Sequence, residues 1–273
     1  MKKVLLFSLV MVLFSFAACG GGKAQPAGDN EKVTGDVAVE QEYIKADVYE
    51  TGGGELKVTL VGHGSLMFEY GGKVIHVDPY SQVADYSRLP KADLILLTHA
   101  HADHLDTIAI NQIKKDSTDI FMAYICYEPL KNMVDTLNND LILRNYDHIS
   151  HNGIVISALP AYNIVHKNPQ GKYYHPKGEG NGYRIQFGDK LVYVAGDTED
   201  IPEMKNSYHY SCDIAFLPKN IPYTMTDEMF VNAAKTLKPK VFYPYHMSEF
   251  DSDKIGKALE GMDIEIKVRP MKN

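Results

Sequence analysis

At residues 98–104 the chain reads Thr-His-Ala-His-Ala-Asp-His, and this short stretch decides how the whole sequence is interpreted. An almost continuous apolar run over residues 93–98 leads into it, which is typical of a strand covered on both faces of its sheet. Apolar residues then recur at positions 105, 108, 109 and 113, the spacing of one face of a helix. The histidines are therefore predicted to lie in a loop that joins a buried strand to a helix.

Four side chains within six positions of this loop can bind a cation: His99, His101, Asp103 and His104. One interpretation is a polar loop in which the histidines are incidental. Imidazole and carboxylate groups beside a buried strand cost free energy, however, unless a cation or another partner satisfies them. A site for two metal ions needs roughly six or seven such ligands from several strand ends. We therefore favour a metal site and search the rest of the chain for the missing ligands.

The body of the chain alternates strand-like runs with turns. Apolar runs over residues 56–61, 65–70 and 73–77, with a Gly71-Gly72 turn, predict a meander of antiparallel strands. Further strand-like runs follow at 153–159, 182–187, 191–195, 213–217 and 241–244, and a helix is expected at about 226–237. Two halves rich in strands, with helices outside them, predict an α/β four-layer αββα sandwich.

The N-terminus is predicted to be a targeting segment rather than part of the core. Lys2 and Lys3 precede an apolar run over 4–16, and small residues then lead to Cys19, an order that resembles a bacterial lipobox. A plain signal peptide or a membrane anchor are the alternatives, although the run is short for a span. We predict a lipoprotein signal peptide over 1–18, a Gly-rich flexible tether over 19–54 and a single folded domain over 55–273. The protein would then be an exported bacterial lipoprotein, attached to a cell membrane or outer membrane through lipidated Cys19.

Composition limits the classes of partner. The formal net charge of −7 and the pI near 5.9 leave no basic face for phosphate backbones, so nucleic acid is not expected as a partner.

The motif His-x-His-x-Asp-His resembles the signature loop of the metallo-β-lactamase superfamily. The resemblance extends along nearly the whole body. Asp78 matches an acidic residue that orients the metal loop, Asp197 in Gly196-Asp197-Thr198 matches a carboxylate that bridges two metals, and His246 matches the last ligand. The resemblance implies that His99 and His101 hold a first metal, and that a second metal is held by Asp103, His104 and His246.

One ligand that the superfamily usually supplies is displaced. A His is expected after the strand at 153–159, but the chain has Asn163 near that place. The chain resembles a subgroup of uncharacterised hydrolases that share a Pro-Ala-Tyr-Asn stretch and a later His-Pro-Lys-Gly, here beginning at His175. We prefer His175 as the replacement ligand, then His166, and rank Asn163 third because amides bind zinc less well than imidazole does. An exposed loop histidine is the alternative for His175.

His63, in Gly62-His63-Gly64-Ser65, resembles a segment in the subgroup that includes L-ascorbate-6-phosphate lactonase and N-acylphosphatidylethanolamine phospholipase D. That resemblance places it beside the metals, where an imidazole can stabilise an oxyanion or bind a phosphate. The alternative is a loop histidine whose hydrogen bonds are satisfied locally. Tyr223 either lines the substrate mouth or merely precedes a helix capped by Thr226, and we favour the cap.

The resemblance implies a metal-dependent hydrolase that uses a metal-bound hydroxide, with Asp103 and His63 as catalytic residues. Two divalent ions are expected. We favour zinc because most of the ligands are imidazoles, and manganese, iron and nickel are the alternatives. A phosphodiester or a lactone is the expected substrate, carried by a small or lipid-like molecule. The alternatives are a non-catalytic metal-binding lipoprotein and a di-iron redox protein, although His101 stands where the redox branch typically has Glu.

Overall fold

A computed structural model describes residues 45–131, 142–247 and 249–272. The predicted signal peptide, the lipobox with Cys19 and most of the predicted tether lie outside these ranges. Within them, no helix has both the length and the apolar character needed to cross a membrane.

Two mixed sheets of seven strands each form the centre of the described chain. The first sheet contains, in spatial order, β1 (Ala46–Thr51), β2 (Gly54–Gly62), β3 (Ser65–Tyr70), β4 (Lys73–Val77), β5 (Leu94–Leu97), β6 (Asp119–Ala123) and β7 (Ile142–Leu143). The second contains β14 (Glu265–Ile266), β13 (Val241–Met247), β12 (Ile214–Lys219), β11 (Lys190–Val194), β10 (Gly180–Phe187), β9 (Ile154–Ala161) and β8 (His148–His151). The α-helices are α1 (Thr107–Ile113), α2 (Tyr124–Leu130), α3 (Ser207–Tyr210), α4 (Asp227–Leu237) and α5 (Ser252–Ala258).

The two sheets share one pattern of strand pairing. Strands β1 to β4 pair antiparallel, and β4 to β7 pair parallel. In the second sheet β8 to β11 pair antiparallel and β11 to β14 pair parallel. Each half of the chain therefore supplies a meander followed by parallel strands, and the carboxyl ends of parallel strands in a sheet meet at one edge.

Three separate apolar clusters confirm the predicted four-layer sandwich. The central cluster joins side chains of both sheets, such as Phe68 of β3 and Phe216 of β12. A second cluster packs α4 against the second sheet, and a third packs α1 and α2 against the first. Along β5, Leu94 and Leu96 face the central cluster, while Ile95 and Leu97 face the helices. Covering both faces of a strand explains why its sequence is apolar without alternation.

Helix α4 begins where the sequence predicts. The Thr226 side chain caps it by accepting a hydrogen bond from the Met229 amide, and Asp227 and Glu228 occupy the first turn. The start of the sheet differs from the prediction, because β1 lies within the range 19–54 assigned to a tether. Every residue of β1 pairs with β2, and this pairing brings a segment with little apolar periodicity into the sheet.

Candidate metal centre

The predicted ligands meet at the edge where parallel strands of both sheets end. Asp78 follows β4, the loop at 98–104 follows β5, Asp197 follows β11, and His246 lies at the end of β13. This arrangement is common in sheets of this kind, because side chains at the carboxyl ends of parallel strands converge on one crevice. The fold therefore brings together residues that are up to 168 positions apart in the sequence.

His99, His101 and His175 form what we call the first ligand group, whose candidate ligand atoms all lie within 4.8 Å of one another. Nδ1 of His101 is 3.0 Å from Nε2 of His99 and 3.2 Å from Nε2 of His175. His175, the preferred replacement ligand, is buried and not an exposed loop residue. The loop at 98–104 and a distant loop thus supply three imidazoles to one position.

Asp103, His104 and His246 form the second ligand group. Oδ2 of Asp103 lies 3.4 Å from Nε2 of His246 and 3.7 Å from Nε2 of His104. By distance alone the candidate ligand atoms here fall into two sets, each within 4.8 Å: His63, Asp103 and His246 in one, and His99, His104 and Asp197 in the other.

Asp197 lies between the two groups. Its Oδ2 is 3.2 Å from Nε2 of His175 in the first group and 3.5 Å from Nε2 of His246 in the second. Its Oδ1 is 3.4 Å from Nε2 of His104. One carboxylate therefore reaches both positions, which is the placement that the resemblance predicts for a bridging ligand.

Several of these ligand atoms are buried and make no hydrogen bond within the described part of the chain. They are Nε2 of His104, Oδ1 of Asp197 and Nε2 of His246. A buried polar atom without a partner costs about 1–3 kcal/mol, and a divalent cation bound here removes that cost. The donor set of imidazoles and carboxylates is also one that binds zinc, so the residues fit the metal that the family implies.

Protonation states favour a cation at this position. Burial and the neighbouring imidazoles hold the pKa of His99 well below its usual value, which keeps that ring neutral. Asp197 is also buried, but the adjacent His246 and His104 rings keep its pKa well below the usual range. Burial lowers the pKa of His104, yet the carboxylates of Asp197 and Asp78 outweigh burial and raise it to about 9. The carboxylates thus keep the His104 ring protonated and positively charged, and a metal ion can replace the proton.

Asp78 and Thr98 fix the orientation of two histidine rings in the loop at 98–104. Asp78 is buried and accepts hydrogen bonds from Nδ1 of His104, at 2.8 Å, and from the Thr98 hydroxyl, at 2.6 Å. The Thr98 oxygen in turn lies 3.0 Å from Nδ1 of His99. In both rings Nδ1 is occupied, so Nε2 faces the site as a ligand. The orienting contact predicted for Asp78 is present, whereas the sequence reasoning missed Thr98.

Asn163 orients His175 instead of joining the ligands. Its side-chain oxygen lies 2.8 Å from Nδ1 of His175 and accepts a 2.7 Å hydrogen bond from the His175 amide. This contact leaves Nε2 of His175 facing His101 and Asp197. The other candidate, His166, lies elsewhere, with its Nδ1 2.6 Å from Glu199.

Glu199 is a buried carboxylate that sequence reasoning missed. Its two oxygens accept hydrogen bonds from the amides of Ile164, Val165 and His166 at 2.7–2.8 Å, and from the Asn163 side chain at 3.0 Å. Glu199 therefore holds the turn that carries Asn163, which in turn holds His175. Its position two residues after Asp197 was the available signal in the sequence.

His63 lies beside the second ligand group, as the resemblance predicts. Its Nε2 is 3.0 Å from Oδ2 of Asp103, and its ring centroid is 3.9 Å from that of His246. The His63 carbonyl accepts a hydrogen bond from the His246 amide, which ties the turn after β2 to β13. Nδ1 of His63 is buried and makes no hydrogen bond in the described ranges.

Three residues at this edge have left-handed backbone conformations. The φ angles are 47° at His63, 44° at Asp78 and 45° at His246. Such angles are uncommon for residues other than glycine, and Asn, Asp and His adopt them more readily than most. His63 and Asp78 directly follow β2 and β4, and His246 is the last residue but one of β13, so all three left-handed residues lie at strand ends.

A cavity of about 610 Å³ opens in front of both ligand groups, with His101 and His175 of the first and Asp103 and His246 of the second in its lining. Besides the ligands, it is lined by His63, Tyr80, Ala102, Tyr174, Asn220 and Tyr223. Tyr223 thus lines the cavity while Thr226 caps α4, so both interpretations of the segment at 223–226 hold together.

Two mixed sheets between helices, with buried His and Asp ligands at the shared strand edge, define a metalloenzyme of the metallo-β-lactamase fold. A sequence model of the beta-lactamase superfamily domain matches residues 57–246, and the chain belongs to this family.

Its relatives agree with this assignment. A UPF0173 metal-dependent hydrolase of Nanoarchaeum equitans is 31% identical over 193 residues, which cover 70% of this chain and 83% of the relative. The crystal structure of a metal-dependent hydrolase from Parabacteroides distasonis is 40% identical with a TM-score of 0.76, covering 84% of this chain and 100% of that one. A metallo hydrolase from Ignicoccus hospitalis is 26% identical with a TM-score of 0.65, and the match covers 80% of this chain and 96% of that one. The chain is a metal-dependent hydrolase of this superfamily.

Proposed function

We propose that this chain hydrolyses a phosphodiester or a lactone. It would use two divalent ions, one at each ligand group, and zinc is the metal we expect. The observation that carries the proposal is Asp197, whose carboxylate reaches both groups while one of its oxygens makes no hydrogen bond. His175 completes the first group as third imidazole. When bound, divalent ions at such positions make water nucleophilic at neutral pH and polarise the oxygen under attack.

Asp103 and His63 are the proposed catalytic residues. The Asp103 side chain is about one-third exposed and faces the large cavity, so it can orient the attacking water molecule or hydroxide. His63 contacts the same carboxylate oxygen and lines the same cavity, where it can donate a hydrogen bond to an oxyanion or protonate a leaving group. Its place beside the second group supports a relation to the lactonase and phospholipase D side of the superfamily.

The cellular setting is a separate proposal that rests on the N-terminal sequence. Lipidation of Cys19 would hold the hydrolase at a membrane, where small or lipid-like substrates reach it, and the acidic chain gives nucleic acid no basic face. The test is membrane fractionation of the full chain beside Cys19→Ala. We expect the unchanged chain in the membrane fraction and the variant in the soluble fraction, and equal distribution contradicts lipidation.

The hydrolase proposal is tested by metal analysis together with turnover. We expect about two zinc ions per chain, and hydrolysis of bis(p-nitrophenyl) phosphate or a lactone that chelation abolishes and zinc restores. His209→Gln, which changes a histidine outside both ligand groups, is the control and should retain both properties. Two bound ions without turnover support the non-catalytic metal-binding lipoprotein, whereas iron with its optical bands supports redox chemistry. Fewer than one ion per chain contradicts the metal centre.

A further inference from the structure

A second, smaller cavity of about 270 Å³ lies behind the first ligand group. It shares four lining residues with the large cavity, namely His101, Tyr174, His175 and Asp197. The two cavities therefore meet at the ligands, so a substrate whose reacting atoms lie there extends into both of them. This smaller cavity has no role in the chemistry described above.

The walls of the small cavity are apolar apart from its metal end. Ile125 of α2, Ala161 of β9 and Pro176 line it, together with Ala100 and Gly180. Gly180 keeps the floor open, because a side-chain carbon there would lie 3.1 Å from the Ala161 carbonyl oxygen. For scale, an engineered apolar cavity of about 150 Å³ binds benzene, so this space holds a ring or a short alkyl chain.

The polar residues in these walls direct their polar atoms elsewhere. The Asn181 side chain donates to the Leu143 carbonyl at 2.8 Å and accepts from Asn145 at 2.7 Å. The Thr98 hydroxyl donates to Asp78. Among the residues that line this cavity, the polar partners left for a ligand group are the metal ligands, the Tyr174 hydroxyl and Glu179, an exposed carboxylate.

Charge also restricts the group that fits. None of the residues lining either cavity in the described ranges is Lys or Arg, so no cationic side chain compensates a second anionic group on the substrate. Glu179 repels such a group. The small cavity thus combines a metal-facing polar end with neutral apolar walls, which is the usual composition of a site that binds an apolar group and fixes its orientation.

We propose that the small cavity is a specificity site that binds an uncharged alkyl or aryl group next to the hydrolysed carbonyl or phosphoryl centre. This inference rests on the proposed metal centre and names the substrate class more closely. It favours esters or lactones with a short apolar side chain over substrates with a second anionic group.

Ile125 offers the sharpest test, since it lines the cavity from α2 and is not one of the candidate ligands. The full chain, purified in detergent and loaded with zinc, is titrated by calorimetry with acetohydroxamate, butyrohydroxamate and hexanohydroxamate. These probes bind zinc at one end and extend an alkyl chain from the carbonyl. We expect affinity to rise about fourfold for each buried methylene.

Variants of Ile125 should change this dependence in opposite directions. Ile125→Trp fills the cavity and should remove the gain from longer chains, while Ile125→Ala enlarges it and should extend the gain to the longest probe. Ile108→Trp, on an exposed face of α1 outside both cavities, is the matched control and should behave as the unchanged chain. Succinic monohydroxamate should bind at least tenfold more weakly than butyrohydroxamate, and Glu179→Gln should recover part of that loss.

The outcomes separate this inference from the proposed function. Affinities that do not depend on chain length, or a dependence that both Ile125 variants leave unchanged, overturn the specificity site but leave the metal centre intact. Failure of every hydroxamate to bind the zinc-loaded chain contradicts the metal centre, and the specificity site falls with it.

Discussion

The two ligand groups differ in how the protein holds them. In the second group, His246 lies on β13, its amide bonds to the His63 carbonyl, and His104 bonds to Asp78, a buried residue directly after β4. In the first group, His175 lies in the long connection between β9 and β10, and Asn163 and Glu199 position it. Sheet pairing therefore fixes one half of the centre, whereas a chain of side-chain hydrogen bonds fixes the other.

Because of this difference, we expect substitutions in the second group to lower the stability of the protein and substitutions around His175 to lower its metal affinity. Disturbing the second group affects the sheet edge itself, since its orienting residues are part of the core. Disturbing the support of His175, in contrast, affects one loop and one ligand of the first group. Four predictions test the distinction.

Asp197→Asn should have the largest effect, because Asp197 reaches both groups. We expect loss of both tightly bound ions and a fall in turnover of about 10³ or more, since a neutral amide no longer offsets the metal charges. Metal analysis after dialysis and initial rates measure the change. Asp189→Asn, at an exposed carboxylate in the β10–β11 turn, is the matched control. Retention of either ion at full occupancy would refute the bridging position.

His104→Ala and His175→Ala compare the two groups directly. Removing His104 leaves Asp78 buried without its ring partner, so the metal-free chain should lose about 3–5 kcal/mol of unfolding free energy. Removing His175 should cost the metal-free chain only about 1 kcal/mol, the scale of a lost hydrogen bond. Urea unfolding of both variants in the presence of chelator gives these values. Equal losses would show that the groups are held alike.

Glu199→Gln should weaken the first metal selectively. The amide cannot accept all the hydrogen bonds that the carboxylate accepts from 164–166 and Asn163, so the turn shifts and His175 is less well oriented. We expect about 10–100-fold weaker binding of one ion and unchanged binding of the other, measured by competition with a chelator. Glu203→Gln, which loses contacts to Lys177 and Tyr162, is the control. Equal weakening of both ions would assign Glu199 a general structural role.

Thr226→Ala should have the smallest effect and should spare both groups. The variant loses the cap of α4, which lowers the unfolding free energy by about 1 kcal/mol and the melting temperature by about 2–4 °C. Metal content and turnover should match the unchanged chain. A change in metal binding would mean that general destabilisation also perturbs the centre, and the three larger effects would have to be reinterpreted.

The same contrast explains what the sequence could predict. Site residues at strand ends can be predicted from the sequence, because an apolar run followed by His or Asp identifies both the strand and its end. Asp78, Asp197 and His246 are examples. The motif at 98–104 adds the family and therefore the layered fold. The position of β1 was not readable, since its place in the sheet depends on pairing with β2 and not on its own periodicity.

Loop ligands are harder to predict from one sequence. His166 and His175 both follow Asn163, and spacing alone cannot tell which ring reaches the centre. The choice depends on Glu199, which binds His166 and the turn around it and so leaves His175 to approach His101. Hydrogen bonds between segments about 35 residues apart leave no periodic signal, and Glu199 was missed for that reason.

The left-handed residues at the strand ends limit how this centre can be re-engineered. His63, Asp78 and His246 must each tolerate a positive φ and also present a polar side chain. Few residue types meet both demands, and Val and Ile meet neither. Exchanging His246 for Cys to favour a softer metal would therefore change backbone strain together with donor chemistry. At His246 the choice of metal ligand is also a choice of backbone conformation, so the two cannot be optimised separately.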